Sequence, residues 1–110
     1  MAVTFKVLGQ SNPTAGALTT LYTVPVATST NVGSIIVCNQ GTYDVTFRIS
    51  VAIAGAADDP KQYLYYDILV PANDTFIAIL GLTMAATDVL RCYSKDSSVL
   101  SFSAFGSEIT

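Results

Sequence analysis

The sequence predicts an all-β fold, a single-domain antiparallel β-sandwich of about eight strands with a jelly-roll-like arrangement. Three observations predict it. Hydrophobic residues make up 51% of the 110 residues and charged residues 12%, so the chain can form a core and is not disordered. Apolar and polar side chains alternate without a break over residues 43–51, which is typical of a strand with one buried face. Turn-forming clusters recur at spacings of roughly 8 to 12 residues.

The predicted strands follow from this alternation, taken in chain order. Each is a stretch rich in Thr, Val, Ile, Tyr or Phe whose side chains alternate in polarity. The eight segments are residues 3–8, 18–24, 31–38, 43–51, 63–70, 76–82, 88–93 and 99–105. Because the first and last segments are themselves strand-like, we expect both ends of the chain to be held in sheets.

Clusters of Gly, Pro, Asn, Asp and Ser mark the loops between these strands. They lie at residues 9–16, 25–31, 39–41, 55–60, 71–74, 85–88 and 94–98. One helical turn is the most that the sequence predicts, within residues 82–90, where two alanines stand beside Thr87 and Asp88. In the strand over 43–51 the odd-numbered residues should face the core. Phe47 is then a core anchor, and Arg48 lies on the opposite face.

Charge and composition exclude several classes of function. The net charge is −3 and the five basic residues are scattered, so no basic stripe is available for nucleic acid. The apolar runs are far shorter than the roughly 20 residues that span a bilayer, and residues 1–15 lack the pattern of a signal peptide. Histidine, the commonest general base, is absent. We therefore expect no enzyme activity, no cofactor, no metal, and neither nucleic acid nor membrane as a partner.

Two small groups of side chains each have a structural and a functional interpretation. Cys38 and Cys92 are expected to be reduced, buried thiols, because nothing in the sequence directs export; a disulfide between them is the alternative. Asp58 and Asp59 precede Pro60 and are expected to form a solvated turn. The alternative, a calcium site, lacks the ligand spacing of a calcium loop.

The most distinctive feature is a tyrosine cluster in the strand over 63–70. One face of this strand is expected to point to the core, and it holds Leu64, Tyr66, Ile68 and Val70. The other face then presents to the outside Tyr63, Tyr65 and Leu69. Such an aromatic and apolar strip is typical of protein interfaces, so these three residues and Arg48 are the candidate interface residues. Packing under a loop of the same subunit and stacking against a glycan are the alternatives.

Six segments that together span most of the chain resemble those of a known group of proteins. The segments are LTTLYTVP (18–25), VCN (37–39), TFRI (46–49), KQYLYYD (61–67), PANDT (71–75) and FGSEI (105–109). They resemble small β-rich virion structural proteins of tailed bacteriophages, including cyanophages. The resemblance rests on strand and turn segments and supplies no site residues.

The resemblance implies a non-enzymatic virion component, assembled in the host cytoplasm, that decorates or cements the capsid and stabilises the head lattice. Its implied partners are further copies of itself, as a homo-oligomer and by analogy a trimer, and the major capsid protein. The low charge and the apolar residues on both faces of several strands also favour a subunit covered by its neighbours. Two alternatives stay open: a receptor- or glycan-binding module of a tail or tail fibre, and a small enzyme that uses carboxylates.

Overall fold

The computed structural model describes residues 1–96 and 99–110. These residues form eight strands, one for each predicted segment, so the all-β class is confirmed. The strands are β1 (Val3–Ser11), β2 (Thr19–Thr23), β3 (Ser29–Asn39), β4 (Val45–Ala52), β5 (Tyr63–Val70), β6 (Thr75–Met84), β7 (Val89–Ser94) and β8 (Leu100–Ile109). Two short 3-10 turns, Ile53–Gly55 and Pro60–Gln62, lie between β4 and β5. Within the described part of the chain, no helix is long and apolar enough to cross a membrane.

The strands form two four-stranded antiparallel sheets that enclose one core. Sheet one has the strand order β1-β8-β3-β6, and sheet two has the order β2-β7-β4-β5. Apart from β4 and β5, strands that are consecutive in the sequence lie in different sheets, so the chain crosses repeatedly between the two. This is the strand order of a jelly roll, and the predicted jelly-roll sandwich is confirmed.

Both ends of the chain belong to sheet one. β1 pairs with β8, beginning with Val3 opposite Ile109. Beyond these strands, Ala2 and Thr110 exchange two backbone hydrogen bonds of 2.9 Å. The prediction that both ends are held in a sheet is therefore confirmed.

The core lies between the sheets and is centred on Phe47. This side chain is fully buried, and its ring centroid lies 5.2 Å from that of Phe76 and 6.0 Å from that of Phe102. Each strand contributes at least one buried apolar side chain to the same cluster. Val45 and Ile49 are buried with Phe47, as the alternation of β4 predicts.

β4 begins at Val45, two residues later than the alternation predicts. The buried Asn39 side chain accepts a hydrogen bond from the Gly41 N–H at 2.8 Å and donates one to the Tyr43 carbonyl at 3.0 Å. These bonds hold the chain before β4 in a loop, and Tyr43 is left exposed. The predicted inward orientation of Tyr43 is therefore wrong.

Residues 85–88 form a tight turn, and the single helical turn that the sequence allowed within 82–90 does not form. β6 remains paired with β3 as far as Met84. The Asp88 carboxylate then accepts hydrogen bonds of 2.9 Å from the N–H groups of Ala85 and Ala54. Thr87 has a φ of 69°, which is left-handed and ends any helical path.

Two other predicted turns lie over residues 55–60 and 94–98. The Asp59 carboxylate caps the turn Pro60–Gln62 by accepting a hydrogen bond from the Lys61 N–H at 3.1 Å, so this acidic segment is a structural turn, as predicted. Of the turn predicted over 94–98, Ser97 and Ser98 lie outside the described residues.

Both cysteines are free thiols, as predicted. Cys92 is buried on the inner side of β7, and burial raises the pKa of its thiol to about 11. Cys38 is only half-buried, because the alternation of β3 directs its neighbours Val37 and Asn39 inward and Cys38 outward. The predicted core position of Cys38 is therefore wrong.

Phe47→Ala should lower the free energy of unfolding by about 3 to 5 kcal/mol, because the change opens a cavity among aromatic rings that cannot fully close it. Denaturant titration of the purified protein measures this. Tyr43→Ala is the control, since its ring is exposed, and it should change the same quantity by no more than about 0.5 kcal/mol. Equal losses in the two variants would contradict the assigned core.

Candidate interaction surfaces

Three neighbouring strands of sheet two place an arginine between two tyrosines on the outer face. Arg48 on β4 has its guanidinium carbon 4.0 Å from the ring centroid of Tyr66 on β5 and 4.5 Å from that of Tyr93 on β7. Both distances are within cation–π range. The Arg48 Nε and Nη2 donate to the two carboxylate oxygens of Asp67, at 2.6 and 3.3 Å. Arg48 is therefore held on three sides.

A β-bulge in β5 makes this arrangement possible. Phe47 pairs with Ile68 and Ile49 pairs with Tyr65, so both Tyr66 and Asp67 lie opposite Arg48. Asp67 has a φ of 54°, a left-handed conformation that Asp tolerates better than most residues. β5 thus places both the Tyr66 ring and the Asp67 carboxylate in contact with Arg48.

The irregular pairing of β5 also corrects the predicted faces of this strand. Tyr65 was predicted to point outward, but its ring packs 6.2 Å from that of Phe47 and 5.6 Å from that of Phe76, centroid to centroid. Leu64 and Tyr66, predicted to face the core, are exposed. The reason is that each extra residue in a bulge shifts the alternation by one position.

Beyond the bulge the predicted faces hold. Ile68 packs against the core, Val70 is buried, and Leu69 is exposed. Of the four candidate interface residues, Arg48, Tyr63 and Leu69 lie on the outer side of sheet two and Tyr65 does not. Their role in an interface stays a prediction.

A cleft of about 460 Å³ opens beside Arg48. Its lining residues are Arg48, Asp58, Pro60, Tyr63 and Tyr66. The Tyr63 hydroxyl donates to Asp58 Oδ1 at 2.8 Å, and its ring lies edge-to-face on Tyr66 at 5.2 Å. Partial burial, followed by the hydrogen bond to Asp58, raises the pKa of Tyr63. Aromatic rings beside carboxylate and guanidinium groups suit a polar ligand that also has an apolar face.

Sheet one presents a different surface, which we call the uncharged face. The antiparallel pairing aligns its outward residues in five rows across the strands: Val3-Ile109-Ser29, Phe5-Ser107-Asn31-Thr83, Val7-Phe105-Ser34-Ile79, Gln10-Ser103-Ile36-Ile77 and Ser101-Cys38-Thr75. None of these residues is charged. Several are large and exposed, including Phe5 at 83%, Ile79 at 79% and Ile77 at 59%.

The charged residues of the four strands in sheet one lie in the inward register. Lys6 Nζ is 3.3 Å from Glu108 Oε1, and the other carboxylate oxygen of Glu108 accepts a hydrogen bond of 2.5 Å from the buried Tyr22 hydroxyl. This hydrogen bond is the main cause that lowers the pKa of Glu108, while burial raises the pKa of Tyr22 to about 12. The ion pair therefore gives each charge a partner: the Glu108 side chain is 13% exposed, whereas the Lys6 side chain stays 45% exposed.

Sequence reasoning missed the surroundings of Arg48 and the uncharged face of sheet one for different reasons. It identified Arg48 but not Tyr66, Asp67 and Tyr93 as its partners, and the one local signal was an Asp in the middle of an apolar strand. It indicated apolar residues on both faces of some strands, most clearly over 76–80. It could not show that four strands bring such residues to one surface, because strand pairing is not local.

The structure describes no group of three or more His, Cys, Asp or Glu residues, within 1–96 and 99–110, that could hold a metal ion.

The fold is shared with a chain from the structure of infectious bursal disease virus, Gx strain, with a TM-score of 0.57 at 15% sequence identity. The match covers 97% of this chain and 32% of that chain, so this protein spans about a third of the viral chain's length. No family model and no curated protein matches the sequence. At this identity the likeness shows the fold alone.

Arg48→Ala should leave the fold intact and raise the pKa of Asp67 back towards its ordinary value of 3.8, because the Arg48 hydrogen bond is the main cause that lowers it. Since the folded pKa lies below that of the unfolded chain, the pair stabilises the protein above about pH 4 and loses this effect as the pH falls through the lowered pKa. Carboxyl carbon NMR titration of both proteins measures the pKa. An unchanged Asp67 pKa in the variant would contradict the ion pair.

Proposed function

We propose that this protein is a non-enzymatic structural subunit of a virus particle that decorates or cements the particle head. The observation that carries the proposal is the uncharged face on a jelly-roll sandwich. Monomeric proteins rarely expose contiguous apolar patches of more than a few hundred Å², and larger patches usually mark interaction sites. A subunit embedded among neighbours would cover this surface.

Two further observations support the proposal. Jelly rolls are a recurrent architecture of viral capsid domains, and the matched chain comes from a virus structure. The sequence segments described above resemble virion proteins of tailed bacteriophages. The partners in this proposal are further copies of the chain and the major capsid protein, and the protein would reside in the virion.

Mass spectrometry of separated heads and tails, from particles of the virus that encodes the chain, tests the proposal. We expect the protein to remain with heads after tails are sheared off, in an amount that scales with the major capsid protein. The tail proteins themselves provide the control for clean separation. Recovery of the protein only from the cytosol of infected cells would contradict the proposal, and recovery only with tails would favour the second candidate.

That second candidate is carbohydrate binding on a tail or tail fibre, and the cleft beside Arg48 favours it. The cleft has the size of a small-ligand site, and tyrosine rings can stack on the apolar face of a sugar. The Asp58 carboxylate can accept hydrogen bonds from hydroxyl groups. The Arg48 guanidinium in the lining is already paired with Asp67, so a neutral sugar fits this chemistry better than an acidic one.

NMR titration with glucose and with N-acetylglucosamine tests this candidate. At millimolar sugar, the backbone amide signals of residues 58–66 should shift if the cleft binds either one. Tyr66→Ala should abolish the shifts because it removes a wall of the cleft, whereas Tyr43→Ala, an exposed tyrosine elsewhere, should not. Shifts that are absent, or that persist in Tyr66→Ala, would rule out this use of the cleft for the two sugars.

A further inference from the structure

We infer that the uncharged face of sheet one is covered by a second copy of the same chain, in a face-to-face dimer with two-fold symmetry. The inference deepens the proposed function and rests on it for the role of this face. The occupant of the face is a second copy of the chain, and the assembly contains two copies.

The size of the face suits a second copy. Its strands are 9 to 11 residues long, and four strands side by side give a flat area of about 550 Å² at ordinary strand spacings. Two copies would therefore bury about 1,100 Å² together, which is near the lower end of specific interfaces. The contact would be weaker than an obligate one, as suits a subunit that assembles reversibly before it joins a larger particle.

The distribution of charge favours the same chain over a charged partner. The outward rows of two copies can meet without burying an unpaired charge, because Lys6, the charged residue in the lining of the depression, is paired with Glu108. A partner with acidic or basic groups at its centre would find no counter-charge here. The outer side of sheet two differs, because Arg48, Arg91 and Asp67 lie on its strands. A two-fold contact through that side would have to bury these groups.

The shape of the face indicates how two copies would fit. A shallow depression of about 480 Å³ extends across β1, β8 and β3 on this face, and its lining includes Phe5, Lys6, Gly33 and Phe105. Ile79 projects from β6, the edge strand on the other side of the same sheet. A two-fold axis parallel to the strands places β6 of each copy over β1 of the other. Ile79 of each copy then seats in the depression of its partner, and the contact occurs twice.

This symmetry also limits the number of copies. A face that pairs with itself about a two-fold axis is fully covered by one partner, so the assembly closes as a dimer. A trimer, which the resemblance to cementing proteins implies, needs two different surfaces on each copy. The dimer is therefore a distinct prediction from the trimer.

Sedimentation equilibrium of the purified chain, up to about 100 µM, tests the inference. We expect a dimer for the unmodified chain and a dissociation constant at least about 30-fold higher for Ile79→Glu, because the new charge would be buried against the partner's β1. Ile53→Glu is the matched control. Ile53 is 78% exposed against 79% for Ile79, and it lies at the end of β4 in sheet two, so this variant should remain a dimer.

Cross-linking provides a second measurement that does not depend on a destabilising charge. In a chain with Cys38→Ser, the pair Val7→Cys and Ile79→Cys, which the two-fold axis places at the same level, should form an intermolecular disulfide under mild oxidation, giving a dimer band on a non-reducing gel. The same change at Ile53 in place of Ile79 should not. Thermal unfolding of each variant checks that it is folded.

A monomer at 100 µM, a trimer, or a dimer that Ile79→Glu leaves unchanged and that the cysteine pair does not cross-link would each overturn the inference. These outcomes are separate from those of the proposed function. If the chain is monomeric in solution but present in heads, the proposed function stands and the uncharged face binds another protein. A dimer that is absent from particles would keep the dimer and remove the proposed function.

Discussion

β8 lies between β1 and β3, and its backbone hydrogen bonds to both neighbours fix the register of sheet one. Because successive side chains of a strand point to opposite faces, a slip of one residue would exchange the two faces of this sheet. In the observed register Phe102 is buried and Phe105 lies outward. The same register turns Lys6 and Glu108 inward to meet each other and Tyr22. The uncharged face exists because of this pairing, since the strands themselves are not free of charge.

In sheet two, by contrast, charged side chains lie on the outer surface. Arg48 stays at the surface, where two tyrosine rings and the Asp67 carboxylate satisfy it without full removal from water. The sandwich therefore has two outer surfaces of different chemistry. Covering the surface around Arg48 would desolvate the Arg48–Asp67 ion pair, whereas the outward rows around Phe105 hold no charged residue and the nearby Lys6 is paired with the mostly buried Glu108. In the proposed assembly, this difference would place sheet two towards solvent.

The strands could be predicted from the sequence because the alternation of apolar and polar residues is a local property. Local patterns predict strand ends less well: β8 continues to Ile109 through Gly106, a residue that strands disfavour, because pairing with β1 and β3 supports it there. The bulge at Asp67 reversed the faces predicted for Tyr65 and its neighbours. The candidate site could be predicted only in part, since the neighbour that β7 provides for Arg48 depends on which strands pair.

The position of β8 inside sheet one also has a consequence for synthesis of the chain. It is the last of the eight strands to leave the ribosome, yet it is the strand that joins β1 to β3. Since β4 and β5 are the one pair of described strands adjacent both in sequence and in a sheet, nearly all pairing must wait for distant segments, and such topologies fold slowly. The backbone N–H and C=O groups of β1 and β3 that pair with β8 remain without partners during this time, which is when chaperones or aggregation compete for them. Co-translational folding of this sandwich therefore cannot be completed before β8 emerges.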